Sequence, residues 1–256
     1  MFLWETAVGA GLRLRRAGLM KEPRTIVAVA YPLGRAGSSA LMGLLKVASV
    51  HVGADEHLSK PAPMNPKGFF ELPAQEEFLR HVYASVYPEI SLPPCLAMVD
   101  EIGERYADDY MALLSRELGD RFPAGVKSQW FLTLPFLHRV RDDFDVRVLA
   151  LSRNLEDQTN SLLQVYRQTD RPVLQVATPE FVSIYIQAWS QFGEQILNLY
   201  RFPTLAVSFD ELMSRPLETT RTITDFLGLP GPPEERIRDW LDPSLTHRSA
   251  QEARSV

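Results

Sequence analysis

Arg35-Ala36-Gly37-Ser38-Ser39 sets a guanidinium, a glycine and two hydroxyls directly ahead of an apolar helical pattern. Residue types in that order suit anion binding. Loop and first-turn N–H groups point one way, and a guanidinium fork grips two oxygens of a phosphate or sulfate. Lys127 and Arg153 are two further cations, each near the end of an expected strand. Three cations on one sheet edge imply a ligand carrying several negative charges. Each also has an ordinary reading. A strand–glycine–helix corner occurs without any ligand, Arg153 could pair with Glu156 or Asp157, and Lys127 could be a solvated strand end. A nucleoside-triphosphate loop would read GxxxxGK[ST], and no lysine follows Gly37.

Several elements must position these groups. Thr25–Tyr31 is an apolar, β-branched run that suits a strand buried on both faces of a parallel sheet. Pro32, Gly34 and Gly37 break the run, and Ser38 and Ser39 stand where a helix N-cap would, before Leu41, Met42, Leu44 and Leu45. Further strands are expected over Ala124–Ser128, Asp145–Ser152 and Pro203–Phe209, so that Phe209 joins the cations at the carboxyl edge. Helices are expected over Ala74–Ser85, Glu101–Leu118, Leu134–Arg141, Leu155–Gln168, Pro179–Tyr200, Leu217–Leu227 and Glu234–Leu241. A long irregular segment, Val50 to Leu72, carries the run Asn65-Pro-Lys-Gly-Phe-Phe-Glu71; its two phenylalanines argue for an ordered, packed loop.

Alternating strands and helices predict one α/β domain over residues 23–256, a mainly parallel sheet flanked by helices with a P-loop-like strand–loop–helix. With 45% hydrophobic residues there is ample core, and a net charge of −5 argues against a nucleic-acid partner. Cys95 is the only cysteine, which excludes an intramolecular disulfide and a cysteine-rich metal site. No apolar run is long enough to span a membrane, and the basic cluster Arg13, Arg15, Arg16 follows the apolar residues rather than preceding them, unlike a signal peptide. A cytoplasmic protein is expected. Residues 1–22 read as an amphipathic helical extension; packing on the body is its ordinary use, and contact with a partner or a membrane surface is open.

At these residues the chain resembles sulfotransferases that use 3′-phosphoadenosine 5′-phosphosulfate (PAPS). Arg35-Ala-Gly-Ser-Ser39 is similar to their 5′-phosphosulfate loop, commonly Arg-Ser-Gly-Thr-Ser/Thr. Arg153 and Ser161, in LSRNLEDQTNSLL, match their 3′-phosphate pair in type, spacing and context. Asn65–Glu71 is similar to a segment frequent in bacterial members, and Val126-Lys127-Ser128 with Leu134-Pro135-Phe136 resembles their Lys-Asp-Pro-Arg segment. Ser208-Phe-Asp-Glu-Leu212, Pro216 and Phe226-Leu-Gly-Leu229 are similar to their Tyr-Glu-Asp-Leu…Phe-Leu-Gly-Leu stretch. The resemblance runs from Thr25 to Leu245 and implies sulfuryl transfer from PAPS to a hydroxyl or amine of a small-molecule acceptor, with no obligatory metal.

The resemblance also implies roles. Arg35, Ala36, Gly37, Ser38 and Ser39 would hold the phosphosulfate, Arg153 and Ser161 the 3′-phosphate, with Arg248 in reach of it, and Phe209 would lie near the adenine. Arg35 and Lys127 would stabilise charge on the leaving phosphate. The chain departs from the pattern in places: Ala36 removes a loop hydroxyl, and two extra residues separate Pro32 from Gly37. Gln129 and Trp130 replace Pro-Arg, and no histidine stands two residues after Lys127, where cytosolic members carry their base. A base must come from elsewhere: His51 and His57 compete with Glu71, whose carboxylate two phenylalanines could desolvate. Glu71 is the expected choice, with His57 second. Two other functions remain open at this stage, a P-loop kinase-like phosphotransferase and a non-catalytic nucleotide-binding relative.

Overall fold

Strand β1 (Arg24–Tyr31) is buried from Ile26 onward, as its uninterrupted apolar run requires. A computed structural model describes residues 24–61, 65, 67–84, 92–168 and 175–241. β2 (Ala124–Gln129) and β3 (Phe144–Ser152) flank β1 in parallel, and β4 (Thr204–Ser208) adds to β3, giving the order β2-β1-β3-β4. The four strands expected from the sequence are present, each within a residue of its expected bounds.

Alternation along β1 sends residues to two cores. Ile26, Ala28 and Ala30 face one helical layer, whose buried members include Leu114, Phe136 and Trp189. Val27, Val29 and Tyr31 face the other, with Leu41, Leu45, Leu212 and Ile223. The first layer holds α3 (Leu96–Leu118), α4 (Leu134–Arg139), α5 (Leu155–Tyr166) and α6 (Pro179–Tyr200). The second holds α1 (Ser38–Val47), α7 (Phe209–Ser214), α8 (Pro216–Leu227) and α9 (Glu234–Trp240). Helix α2 (Pro73–Val82) lies beside the β2 edge. The protein is a single α/β domain with a parallel sheet covered on both faces.

Helices α2, α4 and α5 end two or three residues earlier than expected, at Val82, Arg139 and Tyr166, and three further boundaries differ more tellingly. Helix α3 begins at Leu96 rather than Glu101, with extended Cys95 as its N-cap after Pro93-Pro94 and Val99 already buried. The fourth strand stops at Ser208, whose hydroxyl accepts from Glu211 N, so Phe209 opens a short helix instead of ending a strand. Gly37, not Ser38 or Ser39, is the N-cap of α1; its φ of 94° makes the turn that a serine would resist. Among the described residues no helix is long and apolar enough to cross a membrane. The expected extension 1–22 and Arg248 lie outside the described residues.

Candidate active site

The carboxyl ends of β1, β2 and β3 bring the expected residues together around the glycine loop. Because β1 is central, Lys127 on β2 and Arg153 after β3 stand on opposite flanks of that loop. Ligands of open α/β sheets bind at such an edge.

On the β3 flank the loop is tied to α5. Arg35 has a left-handed φ of 67°, a conformation that costs a non-glycine residue about 1–2 kcal/mol. Hydrogen bonds hold it there: Arg35 Nε donates to Ser161 Oγ at 3.0 Å, and Arg153 Nη1 donates to Arg35 O at 2.9 Å. Gln158, buried on α5, donates to the carbonyls of Leu33 and Gly34 at 3.3 and 3.1 Å. Burial, then the nearby charge of Arg153, push the Arg35 guanidinium below its ordinary value, though it stays charged. Arg35, Arg153 and Ser161 therefore form one cationic group. That places Arg35 with the residues expected at the 3′-phosphate, away from Lys127.

Phe209 supports this group from below. Its ring centroid lies 5.0 Å from Arg153 Cζ, a cation–π contact, and its edge fills the space beside Gly37. A Cβ on Gly37 would fall 2.1 Å from Phe209 Cδ2. Ala36 is buried in the core beneath. Asn154, the N-cap of α5, receives Asp157 N on its side chain and donates its own N–H to Asp210 at 2.7 Å, which fixes α7 against α5.

On the β2 flank, Lys127 is 4% exposed. Its Nζ donates to Ser39 Oγ at 3.0 Å and to Glu71 Oε1 at 3.2 Å. Burial lowers the Lys127 pKa; the carboxylates of Glu71 and Glu76 pull it back up without cancelling the effect. Ser39 in turn donates to Phe69 O at 3.1 Å.

The run Asn65–Glu71 is thereby explained. Lys67 Nζ donates to the carbonyls of Asp239 and Trp240 at 2.8 and 2.7 Å, closing the C-terminus of α9. Gly68 and Phe70 take left-handed φ values of 96° and 53°. They turn the chain so that Phe70 packs edge-on against Trp240 at 5.6 Å while Glu71 reaches Lys127. Trp240 donates to Ala40 O at 2.8 Å, joining the segment to the first turn of α1.

Lys127, Glu71, Glu76 and Gln129 line a narrow recess walled by Val52, Phe70 and Leu79. Behind it, Gln75 donates to Lys127 O at 2.7 Å and accepts from Tyr110 OH at 3.1 Å, both inside the core. This also closes the outer edge of β2, where His51 forms a bridge to Ala124. Two consecutive left-handed residues, Trp130 and Phe131 with φ of 57° and 61°, end β2 just beyond Gln129. Packing holds them: Trp130 stacks on Trp189 at 5.4 Å, and Phe131 covers Gly193, where a Cβ would be 2.1 Å away.

No family model and no curated protein matches the chain. Among solved structures it is similar to the sulfotransferase domain from the curacin biosynthetic pathway, at 17% identity, over 84% of this chain and 77% of that one, with a TM-score of 0.45.

Of the residues expected to act as base, Glu71 is brought to Lys127. His57 lies in a short 3-10 turn with Nδ1 3.2 Å from Glu117 Oε2, and does not line the recess. Gln75, Glu76, Tyr110 and Gln158 escaped sequence reasoning as site residues. Gln75 left a trace, a glutamine on the buried stripe Leu72–Gln75–Leu79. Among the described residues no three His, Cys, Asp or Glu side chains gather as a metal-holding group.

Proposed function

We propose that this protein transfers a sulfuryl group from PAPS to a hydroxyl or amine of a small-molecule acceptor by in-line displacement. One observation carries the reading. Two cationic groups stand on opposite flanks of one glycine loop: Arg153 with Arg35 and Ser161, and buried Lys127 with Ser39. A donor with two separate anionic poles, a 3′-phosphate and a 5′-phosphosulfate, fits that pair. Gly37 caps helix α1 in a left-handed turn, and the N–H groups of the helix's first turn open toward the loop.

Arg153, Arg35 and Ser161 would hold the 3′-phosphate. Ser38, Ser39 and the loop N–H groups would hold the phosphosulfate. When bound, PAPS supplies the activated sulfuryl group. Lys127 meets the negative charge that builds on the departing phosphate, in a dry setting where one charge contributes several kcal/mol. Gln129 and the apolar walls of the recess would face the acceptor, and a recess carboxylate would receive its proton.

The test is calorimetry with 3′,5′-adenosine bisphosphate, 5′-AMP and ATP. Binding of the bisphosphate at least tenfold tighter than either competitor supports the reading. Equal affinity for the bisphosphate and 5′-AMP overturns it.

A further inference from the structure

Two carboxylates share the recess with Lys127, and their surroundings differ. Glu71 is engaged, with Oε1 on Lys127 Nζ at 3.2 Å. Glu76 sits in the first turn of α2, and its nearest cation is Arg80 on the outer side, 3.8 Å away, too long for a hydrogen bond. Helix α2 is a firm mount for it. The preceding residue, Gln75, is bonded to Lys127 O and Tyr110, and Leu79 one turn on is in the core.

We propose that Glu76 is the general base that takes the acceptor's proton, and that Glu71 is a positioning residue that holds Lys127. The assignment rests on the sulfuryl-transfer reading above and divides labour between the two carboxylates. As the acceptor oxygen or nitrogen bonds to sulfur, its proton passes to a Glu76 carboxylate oxygen. The bond from sulfur to the 5′-phosphate oxygen breaks, and its electron pair leaves with the bisphosphate beside Lys127.

Electrostatics agree with the geometry. The influences on Glu76 are its partial burial, with 36% of the side chain still exposed, and Glu71, which raise its pKa, and Arg80 and Lys127, which lower it; the net direction is upward. A carboxylate raised from its ordinary range is a better proton acceptor at neutral pH. Glu71 does this as a like charge, so removing Glu71 must bring Glu76 back down.

Two measurements test the assignment on the full chain. In the first, radiolabelled PAPS is offered with a panel of phenols, alcohols and amines. Glu76→Gln should lower kcat by about 10²–10⁴-fold, the usual share of a general base. Bisphosphate affinity should change far less than kcat, since Glu76 faces Lys127 across the recess without a hydrogen bond to it. Glu76→Asp should recover part of the rate. In the second, NMR follows isotope-labelled glutamate carboxyls, with Glu76 assigned by its loss in Glu76→Gln. Glu76 should titrate above an ordinary glutamate, and its midpoint should fall in Glu71→Gln. Full activity in Glu76→Gln with normal bisphosphate binding overturns the assignment alone, as does an ordinary Glu76 midpoint that ignores Glu71→Gln. Failure of the unaltered protein to bind the bisphosphate overturns the donor reading, and the assignment with it.

Discussion

The Arg153 guanidinium donates to the carbonyl oxygen of Arg35 at 2.9 Å, so the two arginines are coupled through a main-chain atom as well as through their charges. Either one, displaced, moves the loop that carries the other. Arg153→Ala should erase about 1.5–3 kcal/mol of the preference for the bisphosphate over 5′-AMP, roughly 10- to 100-fold. Arg153→Lys should recover only a part, since an ammonium cannot both reach Arg35 O and present a planar fork to an anion. Calorimetry with both nucleotides checks this; an unchanged preference in Arg153→Ala would show that the 3′-phosphate lies elsewhere.

Gly37→Ala should be costly for two separable reasons. The φ of 94° disfavours any L side chain by about 1–2 kcal/mol, and the new methyl meets Phe209 Cδ2 at 2.1 Å. Pairing it with Phe209→Leu should recover the second cost and leave the first. Urea unfolding of both single variants and the double variant measures the coupling. Additive effects would mean that the ring moves aside freely.

Lys127 makes stability depend on alkaline pH. Its ordinary pKa is 10.5 and burial lowers it in the folded protein. Between the lowered value and 10.5 the unfolded chain binds more protons, so unfolding free energy rises with pH. The contribution is full above 10.5 and is lost as pH falls through the folded value. Buried Tyr83 and Tyr110, both raised, act oppositely at the top of this range. The comparison therefore has to be with Lys127→Met, in which they are unchanged. As pH rises through the lowered folded value toward 10.5, the stability of the unaltered protein should gain on that variant. Glu71→Gln should cost about 2–3 kcal/mol near neutrality, below the roughly 3–5 of a fully buried pair, because Glu71 keeps part of its side chain wet. Adding Lys127→Met should restore most of that loss. A flat difference between Lys127→Met and the unaltered protein across this range would refute the argument.

The strands were legible because a strand buried on both faces must be apolar throughout, and the runs at Ile26–Tyr31 and Val146–Leu151 are nearly so. The convergence of Lys127, Arg153 and the loop was legible too, since parallel strands put all their carboxyl ends on one edge. What pairs with what was not. The sequence does not say that Arg35 meets Ser161 or that Glu71 meets Lys127, because both contacts depend on how α5 and the Asn65–Glu71 segment pack. The misplaced end of β4 was avoidable: Ser208 followed three residues later by Glu211 is a capping signal, and the apolar Phe209 outweighed it. Ser38 and Ser39 were expected at the cap, and the turn's left-handed φ gives that position to Gly37 instead.

The hydrogen bonds that tie Arg35 to Ser161 and Arg153, and Lys127 to Ser39 and Glu71, join residues 56 to 126 positions apart in the chain. Before β1 has both neighbours, Arg35, Lys127 and Arg153 have no reason to meet. Contacts of such separation form late, after the entropy of closing long loops has been met. A nucleotide bound at this edge therefore grips the finished protein and scarcely touches the folding transition state. It should slow unfolding while leaving the refolding rate almost unaltered, acting as a latch on the completed sheet and not as a template for building it.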